Sequence, residues 1–383
     1  MNRWRMAERG TAAVGAVLLG FLAGVVPAAP ALAESIQERQ WYLDYLHVRE
    51  AHKISTGKGV VVAVIDSGVD ARNPDLAGRV LAGKSYWPAD PAGGGGKIDH
   101  GGHGTSVSGI IAANGRKYGA LGIAPGAKIL PVSVTVGKGS GGIYSGSVPP
   151  DSIRWATDHG AQVINMSYGG RITSPEERAA IQYALDHDVV LVAAAGNSAS
   201  STGVDSPAKI PGVLAVSGYD EKGRFWSGSV HGPEVALAAP SVNIITLGVM
   251  DRGASGYVLA PGGTSGAAPM VAGAAALIRS RYPELKAPDV INRLISTATD
   301  AGPKGRDDQY GFGRLDLVKA LTAKVPAVTA NPLGDPTPTT EPQAAEPESQ
   351  ADAWLRQVLT ITAAALAGLL VVAGSLFLFL RRR

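Results

Sequence analysis

The chain has 383 residues, 45% of them hydrophobic and 17% charged, with no cysteine. This excludes a disulfide scaffold, a zinc ribbon, a cysteine nucleophile and disorder of the whole chain. The net charge of +3 does not point to nucleic acid. Three Arg against one Glu in the first 33 residues, and four Arg against one Asp in the last 33, carry more than the entire excess.

Taken in chain order, residues 1–33 open with Arg3, Arg5 and Arg9, continue in an Ala/Val/Leu/Gly run and close with Ala31-Leu32-Ala33. This is the make-up of a secretory signal peptide, and cleavage after Ala33 starts the mature chain at Glu34. Residues 34–58 form an N-terminal extension in which Trp41, Tyr42, Leu43, Tyr45 and Leu46 offer an apolar face. From 59 to 323, short apolar runs at 60–65, 129–134, 163–166, 189–194 and 213–216 alternate with helix-length segments at 106–113, 151–159 and 175–187. Continuous apolar strands alternating with helices predict an α/β fold with a mostly parallel central sheet and helices on both faces. In such sheets functional groups gather where strands end, and Asp66 ends the first run.

Residues 324–353 carry Pro326, Pro332, Pro336, Pro338, Pro342 and Pro347 and almost no large apolar side chain, the composition of an extended linker. From Val358 to Leu380 there are 23 residues without a charge. As a helix they rise about 34 Å, enough to cross a hydrocarbon core of roughly 30 Å. A single transmembrane helix is therefore expected over 354–380. Arg381, Arg382 and Arg383 would be a cytoplasmic tail, and Glu34 to about Trp354 would face outward from the cell membrane.

Four short motifs carry candidate chemistry. Asp66-Ser67-Gly68 places a carboxylate at the end of a buried strand, although an Asp there can also cap a helix or close a turn. His103-Gly104-Thr105-Ser106-Val107-Ser108-Gly109 starts a small-residue helix from whose positive N-terminal end His103 projects, so a carboxylate is needed to compensate an imidazolium. Gly262-Gly263-Thr264-Ser265-Gly266-Ala267-Ala268-Pro269 puts Ser265 at a helix start, with its N–H free for an oxyanion; an N-cap serine is the plain alternative. Pro269 is expected within the first turn. Ala193-Ala194-Ala195-Gly196-Asn197 ends another apolar strand on an amide that either closes a turn or points into a cleft. The pair His100 and His103 lacks a third ligand, and no carboxylate cluster stands at calcium spacing, so no metal and no cofactor is expected. Gly137-Lys138-Gly139-Ser140-Gly141-Gly142 fits G-x-G-x-x-G, but Gly146, Pro149 and Pro150 keep a helix from following it, which removes the dinucleotide reading.

The ordered set Asp66, His103, Asn197, Ser265 resembles the subtilisin-like serine proteases of peptidase family S8, and the likeness runs from about Gly59 to Leu321. D-S-G, H-G-T-x-V-x-G, A-A-G-N and G-T-S-x-A-x-P carry it, supported by Val163 to Gly169, Ser206-Pro207-Ala208 and Gly311 to Asp316. The resemblance implies a subtilisin-like fold and an endopeptidase of polypeptide substrates. Asp66, His103 and Ser265 would be its triad, Asn197 and the Ser265 N–H its oxyanion hole, and Ser133, Val134, Ser167, Tyr168 and Gly169 the edges that pair with an extended substrate. The stretch from Glu34 to Asp66 is too short for a folding-chaperone propeptide. Together with both hydrophobic ends this layout resembles the mycosins, membrane-anchored proteases associated with type VII secretion, in which the extension packs on the catalytic domain. A mycosin-like protein could be a proteolytic enzyme or a structural subunit of the secretion membrane complex in which proteolysis is dispensable. Two features depart from the pattern: Gly266, where relatives carry a larger residue, and the absence of the disulfides common in mycosins.

Overall fold

The computed structural model describes residues 35–87, 90, 94–116, 119–134, 137–138, 144–145, 148–197, 203–250, 256–336 and 381. The expected signal peptide, the membrane span and the linker beyond 336 lie outside these residues. Among the described residues no helix is long and apolar enough to cross a membrane.

Three short helices come first: α1 (Ile36–Arg39), α2 (Trp41–Tyr45) and α3 (Val48–His52). Ser35 opens them with a reciprocal cap, its hydroxyl accepting the Glu38 N–H while the Glu38 carboxylate accepts the Ser35 N–H. The apolar face expected of this extension is inserted into the domain. Tyr42, Leu43 and Leu46 are buried in the main core, and Trp41 and Tyr45 pack at its margin. The buried Gln40 side chain accepts from the Leu121 N–H at 2.8 Å and donates to the Leu121 and Ile245 carbonyls. Burial pushes the Tyr42 hydroxyl well above the usual tyrosine range.

The catalytic-sized domain follows as β1 (Val61–Asp66), β2 (Lys84–Ser85), α4 (His103–Ala112), β3 (Lys128–Ser133), β4 (Gly137–Lys138), β5 (Tyr144–Ser145), α5 (Asp151–Asp158), β6 (Val163–Met166), α6 (Pro175–Asp186), β7 (Val190–Ala194), β8 (Leu214–Tyr219), β9 (Val235–Pro240), β10 (Val242–Leu247), β11 (Tyr257–Gly262), α7 (Thr264–Arg281), α8 (Ala287–Ser296) and α9 (Leu317–Thr322). Seven strands form one parallel sheet in the order β2-β3-β1-β6-β7-β8-β9. The period-two alternation of each strand sorts its side chains to opposite faces. Val62 and Val64 of β1 join Val190 and Val192 of β7 beneath α4 and α7, whereas Ala63 and Ile65 join Leu191 and Ala193 against α5 and α6. Helices therefore cover both faces, as the apolar runs predict.

The strand order decides where chemistry can sit. From β1 the chain moves outward to β3 on one side, then returns to place β6 on the other. Crossovers diverge at such a switch point and leave a crevice beyond the carboxyl ends of the strands. Asp66 is the last residue of β1, in register with Ser133. Gly137–Lys138 pairs antiparallel with Tyr144–Ser145, the remainder of the glycine-rich motif lies outside the described residues, and the next helix among the described residues starts at Asp151.

The C-terminal segment departs from the expected linker boundary. The chain stays on the domain after α9: the Asn292 amide donates to the Pro326 carbonyl, and the Val328 N–H donates to Asp289 at 2.9 Å. Asn331 and Leu333 then clasp Gly212, its carbonyl taking the Asn331 amide and its N–H reaching the Leu333 carbonyl, each at 3.0 Å. Proline content hid the residues that dock the segment, so any tether begins beyond Pro336.

Candidate active site

His103 is the first residue of α4, after Gly102 in the left-handed region at φ +74°. The helix can begin so close to β1 because Gly104 has no side chain: a Cβ there would stand 2.0 Å from the Gly68 carbonyl oxygen and 3.1 Å from Asp66 Cβ. This closeness lets both Asp66 oxygens meet His103 Nδ1, each at 2.9 Å. The Asp66 carboxylate is 2% exposed and also accepts the Ser67 N–H at 2.7 Å. Burial lowers the affinity of the His103 imidazole for a proton, but the charge and hydrogen bond of Asp66, helped by the charge of Asp99, outweigh it. The pKa lies above the ordinary histidine value as a result.

Asp99 is a residue that sequence reading missed. One of its oxygens accepts the N–H groups of Gly101 and Gly102 and the Ser67 hydroxyl, and the other accepts the N–H and hydroxyl of Thr105. It thereby does for the N-terminus of α4 what Gly102, lacking a side chain, cannot. The Ser67 hydroxyl in turn accepts the Gly104 N–H at 3.0 Å, and Thr105 Oγ1 accepts the Asp70 N–H at 2.8 Å. Ser67 and Thr105 both lie inside the motifs around Asp66 and His103, and that was the available signal.

Ser265 is the second residue of α7, which begins at Thr264. Pro269 consequently falls beyond the first turn, contrary to expectation. Its missing N–H leaves the Ser265 carbonyl without the usual i+4 donor, and the Ser167 hydroxyl donates to that carbonyl at 3.3 Å instead. The Asn165 amide holds Ser167 Oγ at 2.9 Å. Asn197 Oδ1 accepts both the N–H and the hydroxyl of Thr264, at 2.7 and 2.9 Å, which fixes which end of the amide faces outward. Thr264 is also bonded to Gly196, at 3.2 Å.

The free space at Gly263 locates the convergence. A Cβ built there would stand 3.1 Å from Ser265 Oγ, 3.8 Å from Asn197 Nδ2 and 3.9 Å from Ser265 N. A serine hydroxyl and two hydrogen-bond donors thus surround one point that only a glycine leaves open. α4 and α7, which carry His103 and Ser265, pack side by side. A Cβ at Gly266 would face Ile244 of β10 at 3.4 Å, so its departure from the family pattern bears on the packing of α7 against β10.

The five expected substrate-pairing residues separate into two groups. Ser133 and Val134 are fully buried. The Ser133 carbonyl accepts the Tyr86 N–H and the Val134 N–H donates to the Asp66 carbonyl, both at 2.7 Å, so these groups brace Asp66 from the neighbouring strand. Ser167 and Tyr168 are at least nine-tenths buried, whereas Gly169 keeps partial exposure at the cleft. Among the described residues no group of three or more His, Asp or Glu is arranged to hold a metal ion.

A model of the subtilase family matches residues 57–313, spanning all four motif residues. The chain belongs to the subtilase family. It is a subtilisin-like serine endopeptidase, and its substrates are polypeptides. Similar proteins include the thermostable alkaline protease of Halalkalibacterium halodurans, 37% identical over 281 residues that make up 73% of each chain. Subtilisin DY of Bacillus licheniformis is 40% identical over 267 residues, 69% of this chain and 91% of that one. Among solved structures, the serine protease MycP1, an essential component of the type VII (ESX-1) secretion system, superposes with a TM-score of 0.63. It is 34% identical, and the match covers 76% of this subtilase and 90% of that chain.

Proposed function

We propose that the protein is a membrane-anchored extracellular serine endopeptidase that works through Asp66, His103 and Ser265 and serves type VII secretion. Two observations carry the chemistry: the two-oxygen grip of Asp66 on His103 Nδ1, and the convergence of Ser265 Oγ, Ser265 N and Asn197 Nδ2 on one point, on helices α4 and α7 that pack together. With Nδ1 held as donor, Nε2 is the basic nitrogen. It takes the Ser265 proton as the hydroxyl oxygen attacks a peptide carbonyl. The oxyanion lies between the Ser265 N–H and the Asn197 amide. The imidazolium then protonates the leaving amine, and water releases the acyl group by the same steps in reverse roles. Because Thr264 and Ser167 have already fixed Asn197 and the first turn of α7, little reorganisation accompanies charge development.

The composition of residues 1–33 and 358–380 supports export and single-pass anchoring, with the catalytic domain outside and Arg381–Arg383 inside. The part that MycP1 plays as an essential component of the type VII (ESX-1) secretion system supports the link to secretion. The test is hydrolysis of casein by the detergent-solubilised full chain against its Ser265→Ala variant. A loss on the scale known for subtilisin itself, about 10⁶-fold in kcat, is expected, and equal rates would overturn the proposal. Complementation of a deletion strain with Ser265→Ala separates the enzymatic from the scaffold role: restored secretion would assign the secretion function to the structure alone.

A further inference from the structure

The mechanism leaves one buried ionisable group beside the cleft unused. Asp205 is 7% exposed and pinned on both sides. Its N–H donates to the Ala195 carbonyl at 3.1 Å, and the adjoining Ser206 exchanges both backbone hydrogen bonds with Gly170, at 2.7 and 2.9 Å. The carboxylate therefore lies between Gly169 and Gly196. A Cβ at Gly169 would stand 2.9 Å from Asp205 Cβ and 3.2 Å from Oδ2, and one at Gly196 would stand 2.5 Å from Oδ2. Gly196 directly precedes Asn197, whose amide faces the oxyanion. Two glycines thus flank the carboxylate next to the place where the acyl carbonyl is held, and neither has a side chain to interpose.

The Asp205 carboxylate has no partner of its own among the described residues. Among the described residues no group donates a hydrogen bond to it and no cationic nitrogen lies within 4.0 Å. Burial raises its pKa, and the charges of Lys209 and Arg171 oppose this only from a distance. The Lys209 ammonium is engaged with the Arg171 carbonyl at 2.7 Å. The nearby Glu177 is different, because the Ser206 hydroxyl donates to it at 2.6 Å. An unpaired buried carboxylate is costly, and a cation supplied from outside relieves that cost.

We propose that Asp205 is a specificity-determining residue of this protease, closing a pocket that takes the lysine or arginine side chain of the substrate residue that contributes the scissile carbonyl. The inference rests on the proposed site, since that site fixes where the carbonyl lies. A side chain leaving the carbon next to a carbonyl held by Ser265 N and Asn197 Nδ2 has Gly169 and Gly196 as its nearest walls. A guanidinium or ammonium at its end then meets the carboxylate in a charge-assisted hydrogen bond.

The test measures kcat/KM of the full-length protein on peptides that differ only at that residue. Arg and Lys are expected to exceed Ala, Leu and Glu by about 10²-fold or more, and Asp205→Asn to remove that advantage while leaving Ala and Leu within a few-fold. Benzamidine binding to the Ser265→Ala protein provides a readout free of turnover, and it should be lost on adding Asp205→Asn. A small fluorophosphonate with no side chain reports the site itself and the folding of each variant. Phosphonylation of Ser265 without a basic preference, or an equal loss on all peptides in Asp205→Asn, would overturn the specificity assignment alone. Absence of phosphonylation in the wild type would overturn the site and this assignment together.

Discussion

On the β1 side of the cleft, Asp66, His103 and Asp99 bring three ionisable groups together, each oxygen of Asp66 and Asp99 engaged by imidazole, hydroxyl or backbone N–H. On the β7 side, Ser265, Asn197, Thr264 and Ser167 carry no charge and are joined through amide, hydroxyl and carbonyl groups. The first side sets a proton affinity and the second sets a geometry. Their responses to pH and to substitution should accordingly differ in kind.

The largest separation of the two is expected from Asp66→Asn. Removing the charge and its hydrogen bond takes away the two larger influences that raise the His103 pKa and leaves burial opposed only by the charge of Asp99. By the precedent of serine protease triads kcat falls about 10⁴-fold. The working form of His103 is neutral, so in the wild type activity is lost as pH falls through a pKa above about 6.5, the ordinary histidine value. In the variant the residual acid limb should move to lower pH, which a kcat/KM profile measures. The same raised pKa makes protonated His103 favour folding at pH below the ordinary value, a contribution that fades as pH rises through the folded-state pKa.

Asn197→Leu probes the neutral side. A fall of about 10²- to 10³-fold in kcat is expected, the scale known for subtilisin, with the acid limb unmoved. A shift of that limb would show that the two sides are electrostatically coupled and would break the comparison. Asp99→Asn should have the smallest effect on rate, within a few-fold, with a modest downward movement of the acid limb because a lesser raising influence is lost. Its larger consequence is structural, about 1–2 kcal/mol of stability from the weakened cap on α4, read from denaturant unfolding.

How much of this could be read from the sequence follows from the range of the interactions. The strands at 60–65, 163–166 and 189–194 were legible because strands covered on both faces are continuous apolar runs. β9 was not read as a strand, because Val235-Ala236-Leu237-Ala238-Ala239-Pro240 is rich in alanine and ends in proline. Asp66, His103, Asn197 and Ser265 stand out because each has its own local motif. Asp99 and Asp205 do not, since their roles arise only when Ser67 meets residue 99 or when Gly169 and Gly196 close around residue 205. Ser133 and Val134 were expected at a substrate edge from the family resemblance alone. The register that pairs Ser133 with Asp66 buries them.

The central claim is that His103 activates Ser265 beside Asn197, and the most direct measurement is the rate at which a small fluorophosphonate modifies the full-length protein across pH, with the modified residue mapped by mass spectrometry. Modification confined to Ser265, rising through a single ionisation above the ordinary histidine value and abolished in His103→Ala, is the expected result. Modification of another serine, or an undiminished rate in His103→Ala, would contradict it.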